Sequence, residues 1–324
     1  MTELIKYTLI ENGLDFLLSS IENFPLDKSN LDVAKKKLKY SLLHLSASLE
    51  IFFKKRLEKE NWVYIFDDMN KADKNKFKNR DFRSVDLETA IQRLAKISGV
   101  QKSQQEKTVL NNFKIKRNKL VHYDFQDTII ALENDIVKVV RIVVIFISNN
   151  LLDAIVSEKE KSIFIEIKDK LIDLDQYTEE LSNLAREQVK IDDVDEDRIV
   201  TCPHCFEDFL SLSPNKKGNH FCYYCNWSPE YENGFKEVAE AFIEKNIGSI
   251  YQMQQDGDNI PLYECFKCGT KSLVINQEVA HCFNCGEDFQ EIQWCCNCGR
   301  PIQSGREDDI FMCKDCIEYK MIND

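Results

Sequence analysis

Apolar residues in the first half of the chain recur every three or four positions, which is the spacing of one face of an α-helix. The longest stripe predicts a helix of about 25 residues that begins after an N-cap at Asn30 or Ser29. Its apolar members are Leu31, Ala34, Leu38, Leu42, Leu45, Leu49, Phe52 and Phe53. A first helix is predicted before it, over residues 3–23.

Further helices are predicted downstream of this stripe. One follows Ser84 and ends at Gly99, because glycine accepts the left-handed backbone that closes a helix. Another begins at Ser103, which forms a capping box with Glu106, and the last extends from about 127 to 152. Residues 69–83 are rich in Lys, Asn and Asp and are predicted to be a loop. About five helices over residues 1–152 predict a mainly α N-terminal bundle with its own apolar core.

Residues 153–198 are acidic and are predicted to form a helical connector. Its apolar positions approximate a heptad seam of roughly two and a half repeats, which favours packing along the bundle over a coiled coil. The seam consists of Ile167, Leu171, Leu174, Thr178, Leu181 and Ala185. A charged run over 192–197 marks the predicted domain boundary. The remaining chain divides into segments 199–232, 233–250, 260–292 and 293–324, of which 233–250 has the amphipathic pattern of a linking helix.

Cysteine dominates the last third of the chain. Twelve of the 13 cysteines form six Cys-x-x-Cys pairs, and two such pairs supply the four thiolates of a closed tetrahedral zinc site. Taken in order, the pairs predict three Zn²⁺ ions in small β-hairpin modules of the zinc-ribbon type, with 16, 13 and 14 residues between the two halves of each site. The predicted ligands are Cys202, Cys205, Cys222, Cys225, Cys265, Cys268, Cys282, Cys285, Cys295, Cys298, Cys313 and Cys316.

Four thiolates leave no open coordination position, so the three zinc ions are predicted to be structural rather than catalytic. Cys296 falls outside the regular spacing and is predicted to be free or to lie beside a ligand. Glycine follows three of the Cys-x-x-Cys knuckles, where a left-handed backbone turns amide groups toward sulfur. The first ribbon has Phe206 and Asn226 at those positions. His204 and His281 neighbour ligands but are not expected to bind metal.

Charge changes sign along the chain. Residues 1–150 carry 26 Lys and Arg against 20 Asp and Glu, whereas residues 201–324 carry 10 against 20. The basic excess is consistent with a polyanionic partner such as RNA, or simply with a solvated lysine-rich surface. The N-terminus lacks a signal-peptide pattern, and the best apolar run, 137–152, is interrupted by Lys138 and Arg141. We therefore expect a cytoplasmic protein with no membrane span, in a compartment where thiols stay reduced and available to metal.

The helix that begins at Ser103 contains the candidate catalytic residues. One of its faces is predicted to be apolar and buried, with Val109, Leu110, Phe113, Leu120 and Val121 on it. Arg117 falls in the middle of that face, where a guanidinium is costly unless it is paired or opens onto a cleft. His122 shares a face with Asn118, four residues earlier. Taken alone, this pattern also fits a paired structural arginine and a surface histidine.

Residues 117–122, Arg-Asn-Lys-Leu-Val-His, resemble the Arg-x4–6-His motif of HEPN domains, which are helical bundles with this motif late in the bundle. The resemblance covers residues 1–150, roughly. It implies a metal-independent ribonuclease of the kind used as a toxin or in antiphage defence, with Arg117 and His122 as the catalytic pair and Asn118 as a supporting polar group. A toxin subgroup has tyrosine two residues after the histidine, whereas here Tyr123 follows directly. Other HEPN domains are inactive binding modules, so the fold alone does not decide the function.

These residue types suit RNA cleavage. His122 can transfer a proton near neutral pH, and Arg117 can neutralise the charge that develops at phosphorus. A symmetric homodimer through the bundle would bring two such pairs to a shared cleft. His44 and Glu50 could add polar groups to the site, although their positions flank the apolar stripe as surface residues do.

The ribbons leave two interpretations open. Five of their aromatic residues could stack on nucleic-acid bases, namely Tyr223, Tyr224, Trp227, Phe266 and Phe283. The region is acidic, however, and each four-thiolate zinc adds about −2 to its charge, which favours contact with a protein partner, target recognition or restraint of the basic bundle. The chain contains no Walker loop, dinucleotide fingerprint, HExxH or GxSxG motif. The alternative to an enzyme is a non-catalytic adaptor whose bundle dimerises and whose ribbons bind a protein or a nucleic acid.

Overall fold

The computed structural model describes residues 5–212, 220–230, 232–276, 280–290, 292–303 and 312–323. The chain forms two compact units, Met1–Ser182 and Asn183–Asp324. The first is helical, and the second consists of small antiparallel sheets joined by helices. Among the described helices, none combines the length and the apolar character needed to cross a bilayer.

Seven α-helices lie in the described residues of the first unit, and the last of them ends beyond Ser182, in the second unit. They are α1 (Leu9–Glu22), α2 (Leu31–Glu60), α3 (Lys74–Asn79), α4 (Leu87–Ile97), α5 (Gln104–His122), α6 (Ile129–Asn150) and α7 (Glu158–Ile191). The mainly α bundle that the apolar periodicity predicted is therefore confirmed.

The capping residues explain where these helices begin. Asn30 caps α2 by accepting hydrogen bonds from two backbone amides, and Ser103 and Glu106 form the predicted capping box of α5. Helix α1 begins later than predicted, at Leu9, because the hydroxyl of Thr8 accepts from the amide of Glu11 and fixes the start. Residues 3 and 4, where that helix was predicted to begin, lie outside the described residues.

The prediction of a loop over residues 69–83 was wrong for its middle part. Helix α3 lies there, and the carboxylate of Asp73 caps it by accepting from the amides of Asn75 and Lys76. Its sequence is almost entirely polar, so it has no apolar stripe from which a helix could be recognised. The helix ends at Arg80, which has a left-handed backbone with φ of 57°.

One continuous apolar core runs through the first unit. Phe53 of α2 and Phe146 of α6 are fully buried, with ring centroids 4.6 Å apart. Helices α1 and α2 approach closely at Gly13, where an added Cβ would lie 2.9 Å from the ring of Phe52. Ser48 donates a hydrogen bond to the carbonyl of Gly13 at the same crossing. Glycine is required there because the helices leave no room for a side chain.

Helix α6 buries charge as well as apolar surface. Glu133 is fully buried, and its carboxylate accepts hydrogen bonds from Lys28 Nζ at 2.8 Å and from the hydroxyl of Tyr177 at 2.7 Å. Tyr177 belongs to α7, whose apolar residues Ile167 and Leu174 are buried in the same core. The first part of α7 thus packs along the bundle, as its heptad-like seam predicted.

The described residues of the second unit that follow α7 form three small sheets and three short α-helices. Its strands are β1 (Ile199–Val200), β2 (Leu210–Ser211), β3 (Phe221–Cys222), β4 (Leu262–Glu264), β5 (Lys271–Ile275), β6 (Ala280–Cys282), β7 (Ile292–Trp294) and β8 (Pro301–Gln303), and its helices are α8 (Glu232–Asn246), α9 (Ile250–Asp256) and α10 (Lys314–Asn323). The sheets pair in the orders β1-β2-β3, β4-β5-β6 and β7-β8, all antiparallel.

Helix α8 is the linking helix that the amphipathic pattern predicted. Val238 and Ile243 are fully buried, and the ring of Phe242 lies 5.1 Å from the ring of Phe283 in the second ribbon. The second ribbon has a very small core, in which Leu273 and Phe289 pack directly against cysteine ligands. The apolar area that this ribbon buries is therefore much smaller than in the helical unit.

Candidate metal centres and candidate active site

Three groups of four cysteines lie where the spacing predicted them, each with its four sulfur atoms within 4.8 Å of one another. None of the thirteen cysteines, all of which lie in the described residues, forms a disulfide. In a tetrahedral site with Zn–S bonds of about 2.3 Å, neighbouring sulfurs are about 3.8 Å apart. The sulfur pairs Cys202–Cys225 and Cys205–Cys222 are 3.8 and 3.7 Å apart in the first group. Each of the three groups can therefore hold one zinc ion with its existing geometry.

The same spacing recurs in the other two groups. In the second ribbon the sulfurs of Cys268 and Cys282 are 3.7 Å apart. In the third, those of Cys298 and Cys313 are 3.6 Å apart. The register of the strands explains part of how the sulfurs come together. Leu273 of β5 pairs with Cys282 of β6, which places that ligand at a fixed point of the sheet.

The knuckle turns have the left-handed residue that the sequence predicted. The amide of Phe206 donates to the carbonyl of Cys202 at 2.9 Å, and φ at Phe206 is 60°. Asn226 repeats this arrangement in the second half of the site, also with φ of 60°. The turn also directs the amide of His204 toward the sulfur of Cys202 at 3.4 Å. Amide donors of this kind stabilise a thiolate over a thiol.

The first group needs a cation to hold its sulfurs as thiolates. Burial raises the pKa of the Cys202 thiol well above its usual value, and the hydrogen bond to Cys202 raises the pKa of Cys205 in the same direction. Four buried thiolates this close would repel one another strongly in the absence of a positive ion. A bound Zn²⁺ deprotonates its thiol ligands outright, so the donor set fits zinc.

The first group is more deeply buried than the other two. All four ligands of the first site are buried, whereas Cys268 and Cys285 of the second and Cys298 of the third are exposed. Cys296 is exposed as well and lies outside the four-sulfur groups. Solvent and chelators therefore have readier access to the second and third sites than to the first.

The two histidines beside the ligands have other partners. His204 stacks on the indole of Trp227 with ring centroids 4.5 Å apart. His281 Nδ1 lies 2.7 Å from a carboxylate oxygen of Asp288. Neither histidine belongs to a four-sulfur group within the described residues, in keeping with four-thiolate ligation.

A third histidine, His220, connects the first two ribbons. Its Nε2 donates to the carbonyl of Phe283 at 2.8 Å, and burial lowers the pKa of the imidazole. The neutral ring thus contributes an internal hydrogen bond rather than a charge. The sequence contained no signal for this contact, because it joins residues 63 positions apart.

The prediction that the ribbon aromatics are available to stack on bases was wrong for most of them. Tyr223, Tyr224, Trp227 and Phe283 are buried, because ribbons with so little apolar area use their large rings as core. The exposed aromatic surface lies elsewhere: Trp294 is 47% exposed and its ring meets that of Tyr263 at 5.6 Å.

Helix α5 positions the three residues of the Arg-His motif over its last turn and a half. Arg117 is half-buried, and its Nη1 donates to the side-chain oxygen of Asn118 at 3.1 Å. Its Nε is buried and has no hydrogen-bond partner among the described residues. His122 is exposed at the last residue of the helix. Across the described part of the chain, no hydrogen bond joins Arg117 directly to His122.

The apolar face around Arg117 is shorter than predicted. Leu110 and Phe113 are buried and Leu120 is half-buried, but Val121 is 44% exposed. In the last turn of α5, Leu120 still packs against the core, but Val121 faces solvent, so the predicted burial of Val121 was wrong. Val121 instead lies with His122 and the 76% exposed Tyr123 on an open surface.

Lys116 of α5 is a largely buried cation that the sequence did not predict. Its Nζ lies 2.7 Å from Asp127 and 2.6 Å from Asp135, and both carboxylates are buried. Burial raises the pKa of Asp135 to about 6 even beside this lysine. Burial alone would lower the pKa of Lys116, but the two carboxylates together raise it. This ion triad holds α5 against the start of α6, directly before Arg117.

His44 and Glu50 have local partners on α2. His44 Nδ1 shares a hydrogen bond of 3.0 Å with the hydroxyl of Ser19, and its ring lies beside that of Tyr40. Glu50 pairs with Lys54 at 3.1 Å, one turn further along the helix.

Comparison of the chain with protein-family models, with curated proteins and with solved structures finds no match in any of the three.

Proposed function

We propose that the chain is a metal-independent endoribonuclease of the HEPN type, acting in the cytoplasm as a toxin or antiphage-defence effector. The observation that carries the proposal is the end of α5, where Arg117, its partner Asn118 and the exposed His122 lie within six residues. They belong to residues 1–150, which carry 26 Lys and Arg against 20 Asp and Glu. The three zinc ribbons serve target or partner recognition, or restrain the bundle.

The chemistry follows from the nucleophile that RNA carries. His122 takes the proton of the 2′-hydroxyl, the 2′-oxygen attacks the adjacent phosphorus, and the bond to the 5′-oxygen breaks. The leaving 5′-oxygen takes up a proton, which leaves a 2′,3′-cyclic phosphate and a 5′-hydroxyl end. Arg117 neutralises the charge that develops on the phosphorane oxygens. Asn118 accepts from the guanidinium and so restricts its orientation.

A second copy of the chain would complete this site. One arginine and one histidine are few groups for the reaction, and two copies related by a two-fold axis would double them in one cleft. The exposed Val121 and Tyr123 beside His122 supply apolar surface for such a contact. We therefore propose a homodimer through the bundle with Arg117 facing the cleft. A chain that sediments as a monomer at tens of micromolar would remove the support for this composite site.

The second candidate is a non-catalytic adaptor, and the acidity of the ribbons favours it. Residues 201–324 carry 10 Lys and Arg against 20 Asp and Glu, and each four-thiolate zinc adds about −2. Such a surface repels phosphates and suits a basic or apolar protein partner, with the exposed Trp294 as an anchor beside the half-buried Tyr263.

Cleavage of RNA in the presence of EDTA separates the two candidates. The purified full chain is incubated with total RNA and tRNA, and the new ends are mapped. We expect 2′,3′-cyclic phosphates, no cleavage of DNA, and no cleavage at nucleotides methylated on the 2′-oxygen. His122→Ala and Arg117→Ala should each lower the rate about a hundredfold or more, and Arg117→Lys should restore little, since a point charge does not replace the planar guanidinium.

His44→Gln is the matched control, because it removes a histidine of the same unit that has its own local partner, Ser19. It should leave the rate unchanged. If the wild-type chain cuts no RNA under any of these conditions, the adaptor becomes the better account.

A further inference from the structure

A groove lies between helices α4 and α5 of the first unit. It encloses a cavity of about 470 Å³, which is within the usual range for small-molecule sites. Its floor is apolar, formed by Leu87, Ile91 and Ala95 of α4 and by Leu110 of α5. This floor is part of the bundle core, so the cavity has a fixed shape.

The rim of the groove is basic. Lys96, Lys107 and Lys114 lie along it, together with the amide side chain of Asn111. Lys96 and Lys107 have no carboxylate within ion-pair distance in the part of the chain that the structure describes. Lys114 lies 2.6 Å from Glu88, whose side chain is 63% exposed. The groove therefore combines an apolar interior with cations at its edges, which fits a ligand with a flat apolar body and anionic groups on either side.

The groove is aligned with the motif at the end of α5. Lys107, Asn111, Lys114, Asn118 and His122 follow one another at spacings of four, three, four and four residues, so they share one face of the helix. At 1.5 Å per residue, Lys114 lies about 12 Å from His122 along the axis. A strand of nucleic acid that enters the groove can reach His122 without turning around the helix.

We infer that this groove is the substrate-binding site for single-stranded RNA, with one unpaired base inserted between α4 and α5 and the flanking phosphates bound by Lys96, Lys107 and Lys114. This inference rests on the proposed ribonuclease function and specifies its substrate. The base must leave its stack to enter the cavity, so a duplex does not fit. The amides of Gln92 and Asn111 line the groove and can hydrogen-bond to a base edge. Charge along the rim supplies the phosphate contacts.

In this arrangement Glu88 competes with the RNA phosphates for Lys114. Its carboxylate holds Lys114 until a phosphate replaces it. Removing the charge with Glu88→Gln should free Lys114 and raise the affinity for RNA severalfold. A gain in affinity cannot result from misfolding, so this variant tests the site in a direction that loss-of-function variants cannot.

The test measures binding apart from cleavage. Full-length protein carrying His122→Ala is titrated against a fluorescent single-stranded RNA of about 12 nucleotides, against its duplex, and at several salt concentrations. Adding Lys96→Ala and Lys107→Ala should weaken binding tenfold or more and lower the salt slope by about 2. The charge-matched control is Lys36→Ala with Lys39→Ala, two exposed lysines of α2, which should change affinity less than twofold. The control for Glu88→Gln is Glu158→Gln, another exposed glutamate paired with a lysine, which should have no effect.

Three results would overturn the inference: equal losses for the groove and α2 lysine pairs, duplex binding as tight as single-strand binding, or displacement of the RNA by polyglutamate as readily as by unlabelled RNA. If RNA is cut in a His122-dependent way while the groove variants behave as wild type, the ribonuclease stands and the groove assignment fails. If the groove binds single-stranded RNA but the wild-type chain never cuts it, the groove stands and the proposed catalysis fails.

Discussion

The two units of the chain obtain a fixed structure by different means. The helical unit has one apolar core that includes fully buried rings such as Phe52, Phe53 and Phe146. In the second unit, the core of the second ribbon consists of a few residues, in which Leu273 and Phe289 pack against cysteine ligands themselves. Buried apolar area stabilises the first unit, whereas a metal ion must supply most of the stability of each ribbon. The comparison teaches that the folding of one unit can depend on metal while the folding of the other does not.

Removal of zinc should produce the largest loss of stability, and the unfolding should be limited to the second unit. Structural zinc contributes on the order of 10 kcal/mol to a small domain. The reduced chain should contain three zinc ions by elemental analysis. After chelation, hydrogen exchange should show unprotected amides in β1–β8 and unchanged protection in α1, α2 and α6. One zinc or none on carefully reduced protein would refute the pairing of the cysteines.

Single cysteine substitutions should show that the three sites load separately. Cys222→Ser should leave two zinc ions per chain and unfold the first ribbon, because it removes a fully buried ligand. Cys298→Ser should also leave two but disturb only the exposed third ribbon. Cys296→Ser is the matched control, an adjacent cysteine outside the sulfur groups, and should leave three. Loss of zinc from Cys296→Ser would show that the ligand assignment in the third site is wrong.

A core truncation in the helical unit should have the converse effect. Phe52→Ala should lower the free energy of unfolding of the bundle by about 3–5 kcal/mol, through lost burial and the cavity that remains. The zinc content should stay at three. Tyr40→Ala on the exposed face of the same helix should cost much less. Urea unfolding followed by circular dichroism measures both variants, and a change in zinc content with Phe52→Ala would contradict the independence of the two units.

The buried carboxylate of Asp135 should make bundle stability depend on pH. Its pKa is about 6 in the folded chain against an ordinary value of 3.8, so the folded state binds this proton more tightly than the unfolded state. Its contribution to stability is largest below pH 4 and is lost as pH rises through 6, about 3 kcal/mol in total. As the pH rises from 4 to 7, the free energy of unfolding of Asp135→Asn should therefore increase relative to that of wild type by about this amount. Urea unfolding with chelator present throughout measures the stability of the bundle alone. If the unfolding free energies of the two proteins change with pH in parallel, the raised pKa of Asp135 is disproved.

The metal sites could be predicted from the sequence because their geometry is local. A Cys-x-x-Cys turn fixes two sulfurs within four residues, and the left-handed residue after it is visible as Gly, Asn or, less obviously, Phe206. The helical bundle was predictable for a similar reason, since the stripe on α2 repeats over many turns. Helix α3 was not predictable, because its start depends on the cap at Asp73 rather than on apolar periodicity.

The candidate active site could be predicted only in part. Periodicity placed Arg117 and Val121 on one buried face, but how far α5 stays in contact with the bundle depends on packing between distant segments. The same applies to Lys116, whose carboxylate partners lie 11 and 19 residues further along the chain. The one available signal was the run Glu133-Asn134-Asp135 within an otherwise apolar stretch, which indicates buried charges that need partners.

The central claim, that the helical unit cuts RNA without help from the metal-dependent unit, has one direct test. Full-length protein is stripped of zinc with EDTA until hydrogen exchange shows the ribbons unfolded, and the RNA ends it produces are compared with those from zinc-loaded protein. The account predicts that cleavage persists or increases, leaves 2′,3′-cyclic phosphates, and disappears with His122→Ala. Cleavage that is lost with zinc and restored by zinc, or that survives His122→Ala, would contradict it.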